Sequence, residues 1–311
     1  MKKSIVYATA CCLSLLIIHS TKAQMPDDGW TMRKGELCLV TDYMQSSFTE
    51  YWEGKRLREN LNLGKFTSKV IMPMIGYGIT DKLTAFAGVP HIDNSSDAGT
   101  MTGQKGWQDL SLHLKYLLLN KNAGKWDYKL FATGGVSFPI SDYPPDFLPY
   151  SIGLGTTNID TRMVGHFVFS QKWFTTVQTG YIFKSNITVD RQSYYTDEQH
   201  NSDEMAVPNV WNGSVRVGYN VARFRADVHF NWSKCTSGSD IRRNDVPYPG
   251  NRMNMGAVGV AGLLWIPKID GLAVHGGVDQ VVDGRNVGKS FTWMAGLQYV
   301  FTPFNKKDHA K

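Results

Sequence analysis

The chain has 311 residues, 42% of them apolar and 19% charged, with a formal charge of +6. Lys2, Lys3 and Lys22 carry three of those charges, leaving +3 for the rest, too balanced to imply a nucleic-acid partner. Past the first 23 residues no run of 18 or more apolar residues occurs, which excludes a helical membrane protein, and the two cysteines found there make neither a disulfide framework nor a zinc site.

Residues 1–23 read as a secretory signal peptide. Lys2 and Lys3 open it, Ile5 to Ile18 form a mostly apolar core about 14 residues long, and Thr21-Lys22-Ala23 supplies the small residues a signal peptidase reads. That core is shorter than the roughly 20 residues of a membrane helix. Cys11 invites a lipoprotein reading, but only a few apolar residues precede it. Cys11 and Cys12 leave with the signal, so Cys38 and Cys235 remain. Residues 24–33, with Pro26, Asp27, Asp28 and Trp30, form an N-terminal arm. Two destinations are open to it, the periplasm or the inside of the fold as a plug.

From residue 34 the chain reads as strands. The expected segments are 34–51, 66–79, 82–93, 106–120, 126–140, 160–171, 172–186, 208–220, 222–235, 252–267, 270–283 and 290–301, about 12 in all. Short and long connections alternate between them. Gly78-Ile79-Thr80-Asp81, residues 120–125, Gln171-Lys172, Asn220-Val221 and Lys268-Ile269-Asp270-Gly271 have the chemistry of tight turns. The connections 141–159, 187–207 and 236–251 are long and polar. An even strand count with alternating connection lengths is the pattern of an outer-membrane barrel, with short turns in the periplasm and long loops outside.

The strands carry a two-face code. In Phe224-Arg225-Ala226-Asp227-Val228-His229-Phe230-Asn231-Trp232 every second residue is apolar and every intervening one polar or charged. Period two means an extended strand with opposite faces. The same code sets Leu110, Leu112, Leu114, Tyr116 and Leu118 against Asp109, Ser111, His113 and Lys115. It sets Trp173, Val177, Tyr181 and Phe183 against Thr176, Gln178 and Lys184. In 252–267 both faces are small or apolar, and the strand is ambiguous. Aromatics cluster at strand ends: Trp126, Trp173, Tyr219, Phe224, Tyr299 and Phe301 beside the tight turns, Trp107, Trp232 and Trp293 beside the loops. Two aromatic girdles are expected of a barrel in a bilayer. A soluble β-sandwich would have to hide many inward charges, which is costly. The expected fold is therefore all-β, an antiparallel up-and-down transmembrane β-barrel over 34–301, followed by a periplasmic tail, 302–311.

Several pieces together resemble a known family. Tyr77-Gly78-Ile79-Thr80-Asp81, Gly88-Val89-Pro90, Gly106-Trp107-Gln108-Asp109-Leu110, Leu114-Lys115-Tyr116 and the run from Val136 to Tyr143 are similar to outer-membrane proteins named for the meta-cleavage pathway of phenol degradation. The resemblance is best between residues 35 and 155, and Phe301 ends the last strand like an outer-membrane assembly signal. It implies a barrel transporter, supplies no catalytic residues, and names no substrate.

The residues expected to line the lumen are Asp109, His113, Lys115, Lys129, Arg162, His166, Arg216, Arg225, Asp227, His229, His275 and Asp279. Two readings stay open for them: selecting a polar solute, or pairing to fill and stiffen a narrow interior. Mixed signs argue against a strongly ion-selective pore. The loop 190–204 collects Asp190, Asp197, Glu198, Asp203 and Glu204, oxygens a calcium ion would use, but a solvated loop explains them. His200 and Ser202 in that loop tempt a hydrolase reading without showing a base in reach of a nucleophile. Gly284-Arg285-Asn286-Val287-Gly288 lacks the strand–helix unit of a nucleotide fingerprint and reads as an outer hairpin loop. No cofactor, metal or catalytic residue is expected. The functional expectation is passive uptake of a small-molecule solute across the outer membrane, with membrane lipid as the other partner. A structural or surface-binding barrel with a closed lumen is the alternative, and an outer-membrane hydrolase the third.

Overall fold

The computed structural model describes residues 25–196, 198–242 and 246–303. The expected signal peptide and most of the expected tail lie outside the described residues.

The strands form one antiparallel sheet closed on itself. Leu37–Phe48 pairs on one side with Phe66–Gly78 and on the other with Phe291–Phe301, from Leu37 opposite Phe301 to Ser47 opposite Phe291. Closure leaves no open edge, which a sheet in lipid requires. The wall has twelve staves. The third consists of Leu83–Gly88 and His91–Ser96, the fourth of Lys105–Trp107 and Asp109–Ala123. The other staves are Trp126–Pro139, Asn158–Phe169, Trp173–Lys184, Val210–Val221, Phe224–Cys235, Asn254–Trp265 and Leu272–Arg285.

Differences from the sequence reading have local causes. The segment expected as one strand at 82–93 is interrupted at Val89 and Pro90, because proline has no N–H for the ladder. The first strand stops at Phe48 instead of running to 51, and the chain turns into a hairpin, Glu50–Glu53 with Arg56–Glu59. Trp52 of this hairpin is buried against Ala257 and Val281. A bulge between Leu117 and Leu119 places Leu118 and Leu119 both at the surface.

Tight turns join the staves at one end, as expected. In the turn after Phe169, Ser170 and Gln171 both have positive φ, 50° and 59°. Two such residues in succession give the twist that matches the flanking strands. At the other end the loops fold onto one another. Ile187, Val189, Met205, Val207 and Tyr248 form a small core there, and the Tyr248 hydroxyl donates to the Tyr195 carbonyl at 2.7 Å. Asn94 Nδ2 donates to the carbonyls of Tyr150 and Ser151, each at 3.0 Å, tying the loop 140–157 to the wall.

Outside, the wall is apolar. Val217, Val228, Val260 and Val278 lie opposite one another across four consecutive staves and all are exposed. Trp126 packs on Phe169, and Trp173 on Tyr219, beside the turns. Trp211 and Trp232 meet near the loops. Cys38 and Cys235 are not bridged to each other. Cys38 packs among Met32, Val40 and Val300, while the Cys235 thiol donates to the Met253 carbonyl at 3.2 Å.

Val228 is 58% exposed, in the middle of the valine belt. Val228→Arg is expected to cost roughly 2–4 kcal/mol, the penalty for a cation on the lipid face at mid-bilayer. Denaturant unfolding in lipid vesicles measures it. An unchanged midpoint would mean that this face does not meet lipid.

Candidate functional site

The inward faces of the staves carry the charges. Arg225, Asp227 and His229 alternate with the exposed Phe224, Val228 and Phe230. Inside, histidine–aspartate pairs span two neighbour positions of the sheet. His229, Gly259 and Asp279 are direct partners across three staves, and His229 Nε2 reaches Asp279 Oδ1 at 3.0 Å over the glycine. A Cβ on Gly259 would sit 2.4 Å from that nitrogen and 2.6 Å from the carboxylate oxygen. The missing side chain is therefore what lets the two groups meet. The same arrangement recurs at Asp42–Gly296–His275, with His275 Nε2 2.5 Å from Asp42 Oδ1. It recurs again at His113–Gly135–Asp160, with a 3.6 Å separation.

His229 Nδ1 also faces Asp227 Oδ1 at 3.0 Å. The ring therefore stands between two carboxylates, one at each nitrogen. Arg162 donates to Asp160 at 2.7 Å and to Gln178 at 3.1 Å. His166 is fully buried and shares a 2.8 Å hydrogen bond with Thr176. Lys129 lies opposite His166 in the ladder and so shares its face. Asp109, nearer the loops, accepts a 2.8 Å hydrogen bond from Tyr143. Burial, with the Asp109 carboxylate beside it, pushes the Tyr143 hydroxyl well above its usual range. In the outer loops Arg285 grips Asp240 with two bonds of 2.6 Å, and this pairing holds the Asp240 carboxyl below its usual range.

The arm is inside. Asp28 organises it as a tight turn, accepting from the backbone N–H of Met25 at 2.8 Å and of Trp30 at 3.0 Å. The turn is docked by the wall. Lys115 Nζ donates to Asp28 Oδ1 at 2.7 Å and to the Met25 carbonyl at 3.0 Å. Thr133 donates to the Pro26 carbonyl at 3.0 Å, and Arg216 lies 3.8 Å from Asp27. Trp30 is buried, edge-on to His166 at 4.7 Å, with the Arg225 guanidinium 5.4 Å from its ring. Of the two destinations open to the arm, the structure shows the plug.

Beside the arm lies a cavity of about 430 Å³. His113, Arg216, Arg225, Asp227, His229, His275 and Asp279 bound it, among the residues expected to face the lumen. Met25, Asp27, Asp28 and Trp30 from the arm, with Asp42, Met44, Met72, Met74 and Met294 from the wall, bound it too, and sequence reasoning had not selected them for the lumen wall. A methionine reads as ordinary core, and only the register shows that Met44 and Met294 are opposite each other on the inner face. The loop residues weighed for metal or hydrolytic chemistry have local roles. His200 stacks on Tyr194 at 4.7 Å and shares a hydrogen bond with Thr196, while Ser202 accepts from the Glu204 N–H. Asp197 lies outside the described residues.

A closed barrel with an apolar outer belt, aromatic ends and a charged interior defines the class as an outer-membrane β-barrel. Within that class, the chain belongs to the family described as "Putative MetA-pathway of phenol degradation", which matches residues 65–295. The match thus runs well past residue 155, where the sequence resemblance weakened. The fold is similar to that of an outer membrane channel from Pseudomonas putida F1, at 16% identity, covering 90% of this chain and 100% of that one, with a TM-score of 0.71. The transport unit of the autotransporter AIDA-I from Escherichia coli is 14% identical, with 86% and 91% covered and a TM-score of 0.46. No curated protein matches the chain.

A Cβ on Gly29 would fall 2.0 Å from His166 Cγ. Gly29→Val is therefore expected to unseat the arm and leave the wall intact. Hydrogen exchange checks this: amides of residues 25–32 should lose their protection while stave amides keep theirs. An arm that stays protected in the variant would contradict the docking described.

Proposed function

We propose that this protein is a channel for passive uptake of a small molecule across the outer membrane, held shut at rest by its N-terminal arm. The observation that carries this reading is the nature of the interior. Small barrels that serve only as anchors fill their inside with wall side chains. Here the wall leaves room for a separate stretch of chain and a cavity of about 430 Å³, within the size range of small-molecule sites. The filling is removable, because residues 25–33 belong to no stave. The charged residues of the wall, Arg216, Arg225, Asp227, His229 and Asp279 foremost, then contact the passing solute. Glycine-spanned His–Asp pairs keep the wall rigid while the arm moves.

Planar-bilayer recording tests the reading. The full chain is expected to show rare or small openings, and the chain lacking residues 25–33 a steady conductance several-fold larger. A deletion variant that folds, shifts in gel mobility on heating and conducts nothing would favour the surface-binding barrel instead.

A further inference from the structure

We propose that the lumen contains an anion site, formed by Lys115, Arg216 and Arg225, that the arm's Asp27 and Asp28 occupy at rest and that the carboxylate of a small amphipathic acid takes over during passage. The proposal rests on the channel reading and names the class of solute.

The pairing pattern points to it. Wall acids of the inner face bond wall bases: Asp42 with His275, Asp160 with Arg162, and Asp227 and Asp279 with His229. Lys115 and Arg216 differ, since their ion pairs within 4 Å are with the arm. Arg225 spreads over Trp30, also of the arm. When the arm leaves, Lys115 and Arg216 lose the carboxylates of Asp28 and Asp27, and Arg225 loses the Trp30 ring, in an interior where a poorly paired charge is costly. An incoming carboxylate replaces the two that the arm withdraws. With the arm seated, the Lys115 side chain is 2% exposed. Asp27 and Asp28 thus act as a built-in competitor for the solute.

The rest of the cavity describes the solute's other end. Met44, Met72, Met74 and Met294 line it from three adjoining staves, the first, second and twelfth. Arg216 stands on the eighth stave, six places from the methionines of the second in a ring of twelve. Thioethers conform to irregular shapes and make favourable contacts with aromatic rings. A solute with a carboxylate at one end and a ring or short apolar body at the other satisfies both walls.

Benzoate is the probe, with benzyl alcohol as its uncharged counterpart and acetate as the anion without a ring. In lipid nanodiscs, calorimetry of the full chain is expected to show benzoate binding at least tenfold tighter than either. Asp27→Asn with Asp28→Asn removes the competitor and should tighten benzoate at least tenfold further. Adding Arg216→Gln to that pair, where no arm carboxylate is left unpaired, should abolish the gain. In bilayers, benzoate should raise the open probability of the full chain and have no such effect on the chain lacking residues 25–33, which stays open. The proposal is overturned if the Asp27→Asn, Asp28→Asn variant binds benzoate no better than the natural chain, or if benzyl alcohol binds as well as benzoate. A deletion variant that never conducts would instead overturn the channel reading.

Discussion

Closing a sheet in lipid dictates where charge goes. With every backbone group paired around the ring and an apolar belt outside, polar side chains can only point inward. There they meet a narrow space in which an unpartnered charge costs several kcal/mol. The interior answers this in two ways. Some charges pair within the wall, and glycines at positions 135, 259 and 296 clear the path for histidine and aspartate to meet across a stave. Others, Lys115 and Arg216, are left for the arm. The first set makes the barrel rigid, and the second makes its filling exchangeable.

That division links the fold to its proposed use. A barrel whose charges were all paired within the wall would have no reason to hold nine residues of non-stave chain. One whose charges were all unpaired would not fold. The wall pairs do not involve the arm, which is held by Lys115, Arg216 and Thr133, by Arg225 and His166 against Trp30, and by Met32 packed beside Cys38, Val40 and Val300.

Much of this was legible in the sequence, for a physical reason. Where a stave faces lipid on one side and water or charge on the other, as in Phe224–Cys235, period two is unmistakable. Where the inner face is itself apolar, the code blurs. Leu37–Phe48 turns Cys38, Val40 and Met44 inward against Met32 and the methionine wall, so Asp42 did not stand out as a lumen residue. Asn254–Trp265 looked ambiguous because its inner face is kept small at Gly259 to make room for His229. The arm's destination was not readable at all. Asp28 and Lys115 are 87 residues apart, and no local pattern announces their pairing.

A double-mutant cycle between Asp28 and Lys115 tests the central claim most directly. Asp28→Asn, Lys115→Met and the two together would be compared by denaturant unfolding of the full chain in lipid vesicles. If the arm is docked through this pair, the effects are non-additive, with a coupling energy of about 1–3 kcal/mol, as for groups in direct contact. Strict additivity would mean that Asp28 and Lys115 do not meet, and the arm would then lie outside the barrel.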